Sequence, residues 1–343
     1  MNSRFAILRP LAAVGALVVI PFGAAAQSAG ESDWNHFGVD FRLGLNMKTT
    51  FSNIGASTAS LPPPAIGGVD HNYSDGFVRV DSSGDKGGVT WNWGYQNASQ
   101  VPGNDTILMH TANVESSAST RNDDPHLGLE GTYERDLGHF SSGGAWGIKL
   151  AFGYTELDVH DTQPLNGNVS LITDAYPLGG ITPPLAPYSG SFNGPGPVIG
   201  DTPTRSISTL QGAAQITGNR QVEAALYDFR LGPYVALPLF GQLSCQFSGG
   251  LAFGFANSTF SFSETTTTIA GATQVSGSEH HVESMVGFYG EAGLAYQIIP
   301  EASVFAGGQY QYLGDFTQTV AGRSAEIDLR HSVFFVVGLQ WHF

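Results

Sequence analysis

Residues 37–48 read Phe37-Gly38-Val39-Asp40-Phe41-Arg42-Leu43-Gly44-Leu45-Asn46-Met47-Lys48. Every odd position is large and apolar, and every even one is small, polar or charged. Successive side chains of an extended strand point to opposite faces. A strand therefore sorts this segment into one greasy face and one polar face, whereas a helix would wrap Asp40, Arg42 and Lys48 around both sides.

The sorting recurs seven times. In 126–137, Leu127, Leu129, Gly131 and Tyr133 oppose Gly128, Glu130, Thr132 and Glu134. In 145–156, Trp146, Ile148, Leu150, Phe152 and Tyr154 oppose Gly147, Lys149, Ala151, Gly153 and Thr155. Further strands are expected over 223–237, 242–260, 286–298, 303–312 and 327–343. The joins alternate in length. Long ones fall at 50–123, 161–220, 266–279 and 316–323, and short ones near 138–144, 239–241 and 299–301. Apolar faces of about ten residues, with short turns at one end and long loops at the other, are the pattern of a transmembrane barrel. Closure of the sheet pairs every backbone group inside the bilayer. The expected fold is all-β, an up-and-down antiparallel β-barrel of eight strands over residues 36–343, with long extracellular loops. Pro233 lies inside a strand and has no N–H to give, which predicts a bulge or a strand tilted past the rim. Within the first long connection, 77–80 and 89–95 are expected to pair as a hairpin above the membrane. Placing two such pieces in the bilayer would instead make ten strands.

Residues 1–26 have the plan of a secretory signal peptide. Arg4 and Arg9 precede the apolar run Leu11 to Phe22, and Ala24-Ala25-Ala26 supplies the small residues before cleavage. Residues 27–35 would then be a periplasmic linker. The 343 residues include 45 glycines, one cysteine and only 13% charged residues, with a net charge of −15. Glycine is thus about twice as common as usual, and charge about half. So acidic a balance argues against a nucleic-acid partner. Cys245 alone excludes an intrachain disulfide or a multi-cysteine metal site.

The segment Gly338-Leu339-Gln340-Trp341-His342-Phe343 resembles the C-terminal strand signature of bacterial outer-membrane proteins, with Gly338, Trp341 and Phe343 at its key positions. Val336 departs from it, since a polar residue is usual there. The resemblance is to the outer-membrane protein A-like, opacity-type class of eight-stranded barrels. It implies residence in the cell outer membrane among lipid and lipopolysaccharide, and insertion by the barrel-assembly machinery.

Asp40, Arg42, Glu130, Lys149, Asp228, Arg230, Glu291, Asp328 and Arg330 all fall on the polar face, which closure turns into the lumen. Eight strands leave an interior just wide enough for side chains to fill, so these charges are expected to pair as a plug. Trp341, Phe343, Tyr296, Phe37 and Trp146 are expected at the periplasmic rim, and Tyr154, Phe255, Tyr310 and Tyr312 at the outer one, as interfacial girdles. Glu279-His280-His281-Val282-Glu283-Ser284 offers metal ligands or a Ser/His/Glu set, but adjacent histidines on a strand point apart. No P-loop, dinucleotide fingerprint, HExxH or GxSxG motif occurs. No cofactor, catalytic residue or metal site is therefore expected. The expected role is structural or one of surface interaction, with at most a small gated pore. The alternatives are a porin of ten or more strands for small polar solutes and, less favoured, an outer-membrane hydrolase. The ligand of the outer loops carries no motif.

Overall fold

The computed structural model describes residues 34–56, 62–141, 143–268 and 271–343. The leader expected at 1–26 and most of the linker lie outside the described residues. Eight antiparallel strands close on themselves. They are β1 (Asn35–Leu45), β2 (His126–His139), β3 (Ala145–Asp161), β4 (Thr204–Phe240), β5 (Leu243–Thr268), β6 (Gly271–Ile299), β7 (Ala302–Tyr312) and β8 (Ser332–His342). Each pairs with the next, and β8 returns to β1 with His342 opposite His36 and Val333 opposite Leu45. The first and last strands meet at this seam, where Asn35 and Phe343 exchange backbone hydrogen bonds of 2.9 and 3.1 Å.

The outside of the ring is apolar. Phe41 is 72% exposed and Val286 68%, and Phe229, Leu231, Phe253, Val337 and Leu339 also face outward. An apolar belt around a closed sheet with a polar interior spans a bilayer. The expected girdle residues lie on this outer wall near its two ends, Trp341 and Trp146 at the end holding the short turns and Phe255 and Tyr310 at the other.

Three strands run far beyond the segments expected for them. β4, β5 and β6 have 37, 26 and 29 residues, so 266–279 is the tip of a hairpin and not a long loop. The side-chain pattern inverts where they leave the belt. On β4, Tyr227, Phe229 and Leu231 face out over Asp228 and Arg230, but farther up Leu226, Ala224 and Val222 face in and Glu223 faces out. On β3, Tyr154 is the last outward aromatic; Glu156, Asp158 and His160 follow outside, with Leu157 and Val159 inside. On β5 the change falls between Phe255 and Asn257. Period-two alternation is preserved throughout; only its sign changes, because the surrounding solvent changes from hydrocarbon to water.

The inward apolar residues of these extensions need a partner. They find it in a second sheet of four strands, ordered Asp315–Val320, Arg323–Asp328, Lys48–Ile54 and Ser117–Arg121. Met47, Phe51, Ile54, Ile327 and Leu329 meet Val222, Phe260, Phe262 and Met285 in one buried core above the ring. The segment 327–343 is therefore not one strand. Residues 323–328 belong to this outer sheet, the chain turns at 329–331, and β8 starts at Ser332.

Farther out, Thr106–Val114 and Leu165–Pro177 extend the sheet beside residues 204–216 of β4. They pair above the ring, so its strand number stays eight. The expected hairpin is present as Gly76–Val78 against Trp93–Tyr95. It packs on the blade formed by Thr106–Val114, Leu165–Pro177 and residues 204–216, through Val78, Trp93, Ile107, Met109 and Tyr176. No bulge forms at Pro233. The register between β4 and β5 is the same on both sides of it, from Leu231 opposite Leu251 to Tyr234 opposite Ser248, and two rungs are simply missing. Glycines make this tolerable, since a Cβ on Gly232 would lie 2.1 Å from the Gly249 carbonyl oxygen.

Candidate functional site

The lumen is filled by a buried charge network built from five strands. Arg42 of β1 donates from Nη1 to Asp228 Oδ2 at 2.6 Å, and its Nε lies 3.2 Å from Glu130 Oε2. Arg230 holds the other oxygen of Asp228 at 2.9 Å, also reaches Glu130, and has Nη1 3.5 Å from Glu291. Lys149 bridges Glu291 and Glu134, the latter at 3.2 Å. Arg42 is 1% exposed and lies over the Phe334 ring at 3.9 Å. Such charges are tolerable away from water only because each guanidinium meets more than one carboxylate. Five acids (Asp40, Glu130, Glu134, Asp228 and Glu291) here face three cations. Asp40 is buried directly opposite Glu130 in the strand register, and among the described residues no cation is ion-paired with it.

Seven of the nine charges expected in the lumen lie there. Asp328 and Arg330 do not. They sit on the outer sheet and the turn after it, where Arg330 donates to Asp328 at 2.8 and 2.9 Å and is exposed to solvent. The alternation of 327–343 continues across that turn, which is why parity alone placed them inside. Glu134 carried the same inward parity as Glu130 and belongs to the network with it. Gly338 lets β8 approach β1, since a Cβ there would lie 2.1 Å from the Val39 carbonyl oxygen.

Above the network lies the apolar core. A second buried ion cluster fastens the outer sheet to the long strands. Asp161 receives Arg121 at 2.8 Å and Arg220 at 3.2 Å, and Glu264 receives Arg323 at 2.9 Å and Arg220 at 3.3 Å. Burial by itself would raise the Asp161 pKa, but hydrogen bonds from Arg121 and the Gln163 N–H outweigh it and hold the carboxyl below its ordinary range. In the blade, Asp174 takes Arg205 at 2.7 and 2.8 Å and the Tyr73 hydroxyl at 2.6 Å. There too burial is outweighed, and the carboxyl is held low.

At the periplasmic seam, residues remote in sequence form a hydrogen-bonded chain. The Ser303 hydroxyl lies 2.8 Å from His342 Nε2, His342 Nδ1 lies 2.6 Å from His36 Nδ1, and His36 Nε2 lies 3.3 Å from Asp136. Asp136 also accepts from the Tyr234 hydroxyl and sits 3.3 Å from His139. One tautomer assignment satisfies every link: serine donates to His342, His342 to His36, and His36 to Asp136. Parity placed Ser303 and His342 on inward faces but gave no sign that they meet. By contrast His280 and His281 turn to different partners, Asn257 and Glu283. Among the described residues no group of three histidines, cysteines or carboxylates could hold a metal ion.

No protein-family model and no curated protein sequence matches the chain. Solved structures similar to it include Ail, the attachment invasion locus protein of Yersinia pestis (8% identity, covering 90% of this chain and 99% of that one, TM-score 0.30). Another is the outer membrane protein OprG from Pseudomonas aeruginosa (11% identity, 91% and 99% coverage, TM-score 0.27). At those scores the closed ring rests on its own strand pairing.

Proposed function

We propose that this outer-membrane barrel is a non-conducting anchor whose work is done by its outer β-extension as a surface-interaction element. The observation that carries the reading is the filled tube: a multiply ion-paired plug in the lumen with an apolar core stacked above it. Ions crossing it would have to break buried pairs and then enter hydrocarbon-like packing, each costly in free energy. The outer part offers what the lumen lacks. Residues 206–211 of β4 stand beyond the tip of β5 and β6, so one edge of that strand has no neighbour among the described residues. The edge carries Ser206-Ile207-Ser208-Thr209-Leu210-Gln211, without charge or proline, and Ile207 is 66% exposed. Unprotected edges of this kind accept a further strand. In planar bilayers the purified protein is expected to give no stable single channels; stable, reproducible openings would overturn the reading in favour of the porin alternative.

The seam chain is read as structural. Ser303 is 4% exposed, faces the lumen, and its histidine is tied through His36 to the strand that closes the ring. A fluorophosphonate probe is expected to leave Ser303 unlabelled in the folded protein. Stoichiometric labelling at Ser303 would make the hydrolase reading the better one.

A further inference from the structure

The lipid-facing wall is not uniformly convex. A groove of about 550 Å³ crosses it from β1 to β5, walled by Phe37, Tyr133, Leu150, Phe152, Phe229 and Phe253; Thr132 and Arg230 reach its base from the lumen side, but the surface it presents is almost wholly apolar. Its floor is Gly131. On β2 the outward column runs Leu127, Leu129, Gly131, Tyr133, so a glycine stands where the pattern calls for a large side chain. A Cβ built on Gly131 would meet nothing within 4 Å. Neither backbone conformation nor close packing therefore requires glycine at this position. The missing side chain leaves a trough.

The next outward residue below Tyr133 is Arg135, opposite Asn35 at the end of the barrel that holds the short turns. It is exposed, and its guanidinium donates to the Asn35 side-chain oxygen at 3.2 Å. Among the described residues no carboxylate is ion-paired with it. The Tyr133 hydroxyl donates to that same oxygen at 2.8 Å, so aromatic wall and cation are held together. Arg135 lies four residues from Gly131, roughly 14 Å along the strand. A cation without an acidic partner at the level of the headgroups, below an apolar trough in the hydrocarbon, matches a phosphate joined to an acyl chain.

We propose that this groove is a binding site for one glycerophospholipid of the periplasmic leaflet, its acyl chain lying over Gly131 and its phosphate on Arg135. The site does not depend on the outer extension. The opposite wall supplies a control. Gly290 also faces outward into open space, but the outward residues below it on β6 are Ala292, Leu294, Tyr296 and Ile298, without a cation.

Native mass spectrometry of the detergent-purified barrel, titrated with phosphatidylglycerol, tests the assignment; the heat-modifiable band on gels reports that each variant is folded. Wild type is expected to retain one lipid, and Gly131→Leu to need at least a tenfold higher lipid concentration for the same retention. Gly290→Leu should behave as wild type. Arg135→Gln, a rim change that leaves the fold alone, should weaken retention of phosphatidylglycerol but not of diacylglycerol, which has no phosphate. Equal retention by wild type, Gly131→Leu and Arg135→Gln would overturn the proposal, as would equal losses in Gly131→Leu and Gly290→Leu. Preference for lipid A over phosphatidylglycerol would overturn the assignment to the periplasmic leaflet.

Discussion

The lower and upper halves of β3, β4 and β5 are the same strands in two solvents. Below, phenylalanines and leucines face out and arginine and aspartate face in; above, valines and phenylalanines face in and glutamate and threonine face out. The backbone ladder runs through the change without a break from Tyr227 to Arg220. Strand geometry fixes only that neighbours alternate. Which face is apolar is decided by what lies beyond it, so the inversion marks the membrane surface more sharply than any run of hydrophobic residues.

The largest expected effect lies inside the lower half. Asp228 is the shared acceptor of Arg42 and Arg230. Asp228→Ala leaves two buried guanidiniums with one acceptor fewer and is expected to cost about 3–5 kcal/mol. The urea midpoint of unfolding from lipid bilayers measures it. Next comes a paired test of the inversion itself. Leu231→Lys places a charge on the outward face within the belt and is expected to cost about 2–4 kcal/mol. Gln221→Lys places the same charge on the same face of the same strand, above the belt, and is expected to stay within about 0.5 kcal/mol of wild type. Equal costs would mean that the belt has been placed wrongly.

What could be read from the chain follows the same division. Strand number, the outward belt, the lumen position of Lys149 or Arg230 and the hairpin near 76–95 were legible because period two reports faces directly. The extensions were not. Above Tyr227 the alternation continues with its sign reversed, so 204–220 reads as part of the long connection 161–220 when judged for an outward apolar face. Asp328 and Arg330 were misplaced for the opposite reason, since a correct parity ran on across a turn. The seam chain could not be read at all, because Ser303, His342, His36 and Asp136 meet only once the ring closes. Gly131 was legible as an outward residue, but its meaning needed the neighbours on four other strands.

A third expectation concerns pH and separates the outer blade from the ring. The Asp174 carboxyl is held below its unfolded range by Arg205 and Tyr73, even though burial opposes this. A depressed folded pKa gives stability that is present above the unfolded value, about 3.9, and is lost as pH falls through the folded one. Hydrogen exchange in Thr106–Val114 and Leu165–Pro177 should therefore accelerate below about pH 4 relative to exchange in β1 and β8. Asp174→Asn should remove most of that pH dependence and accelerate exchange at neutral pH as well.

The smallest expected change in stability is the one that bears most on function. Ile207 lies on the free edge, largely exposed, with β4 paired on one side only. Ile207→Lys removes little packing, so unfolding of the barrel and exchange in the blade should stay within about 0.5 kcal/mol of wild type. A lysine on an edge is nevertheless a strong obstacle to strand addition, since the incoming strand must desolvate or displace it. If the upper half works by offering that edge, the substitution should abolish attachment of cells displaying the protein to surfaces that retain wild type, while leaving the amount of folded barrel unchanged. Attachment that survives the lysine would move the interaction away from 206–211 to another part of the outer extension, and the two halves would then differ in solvent alone.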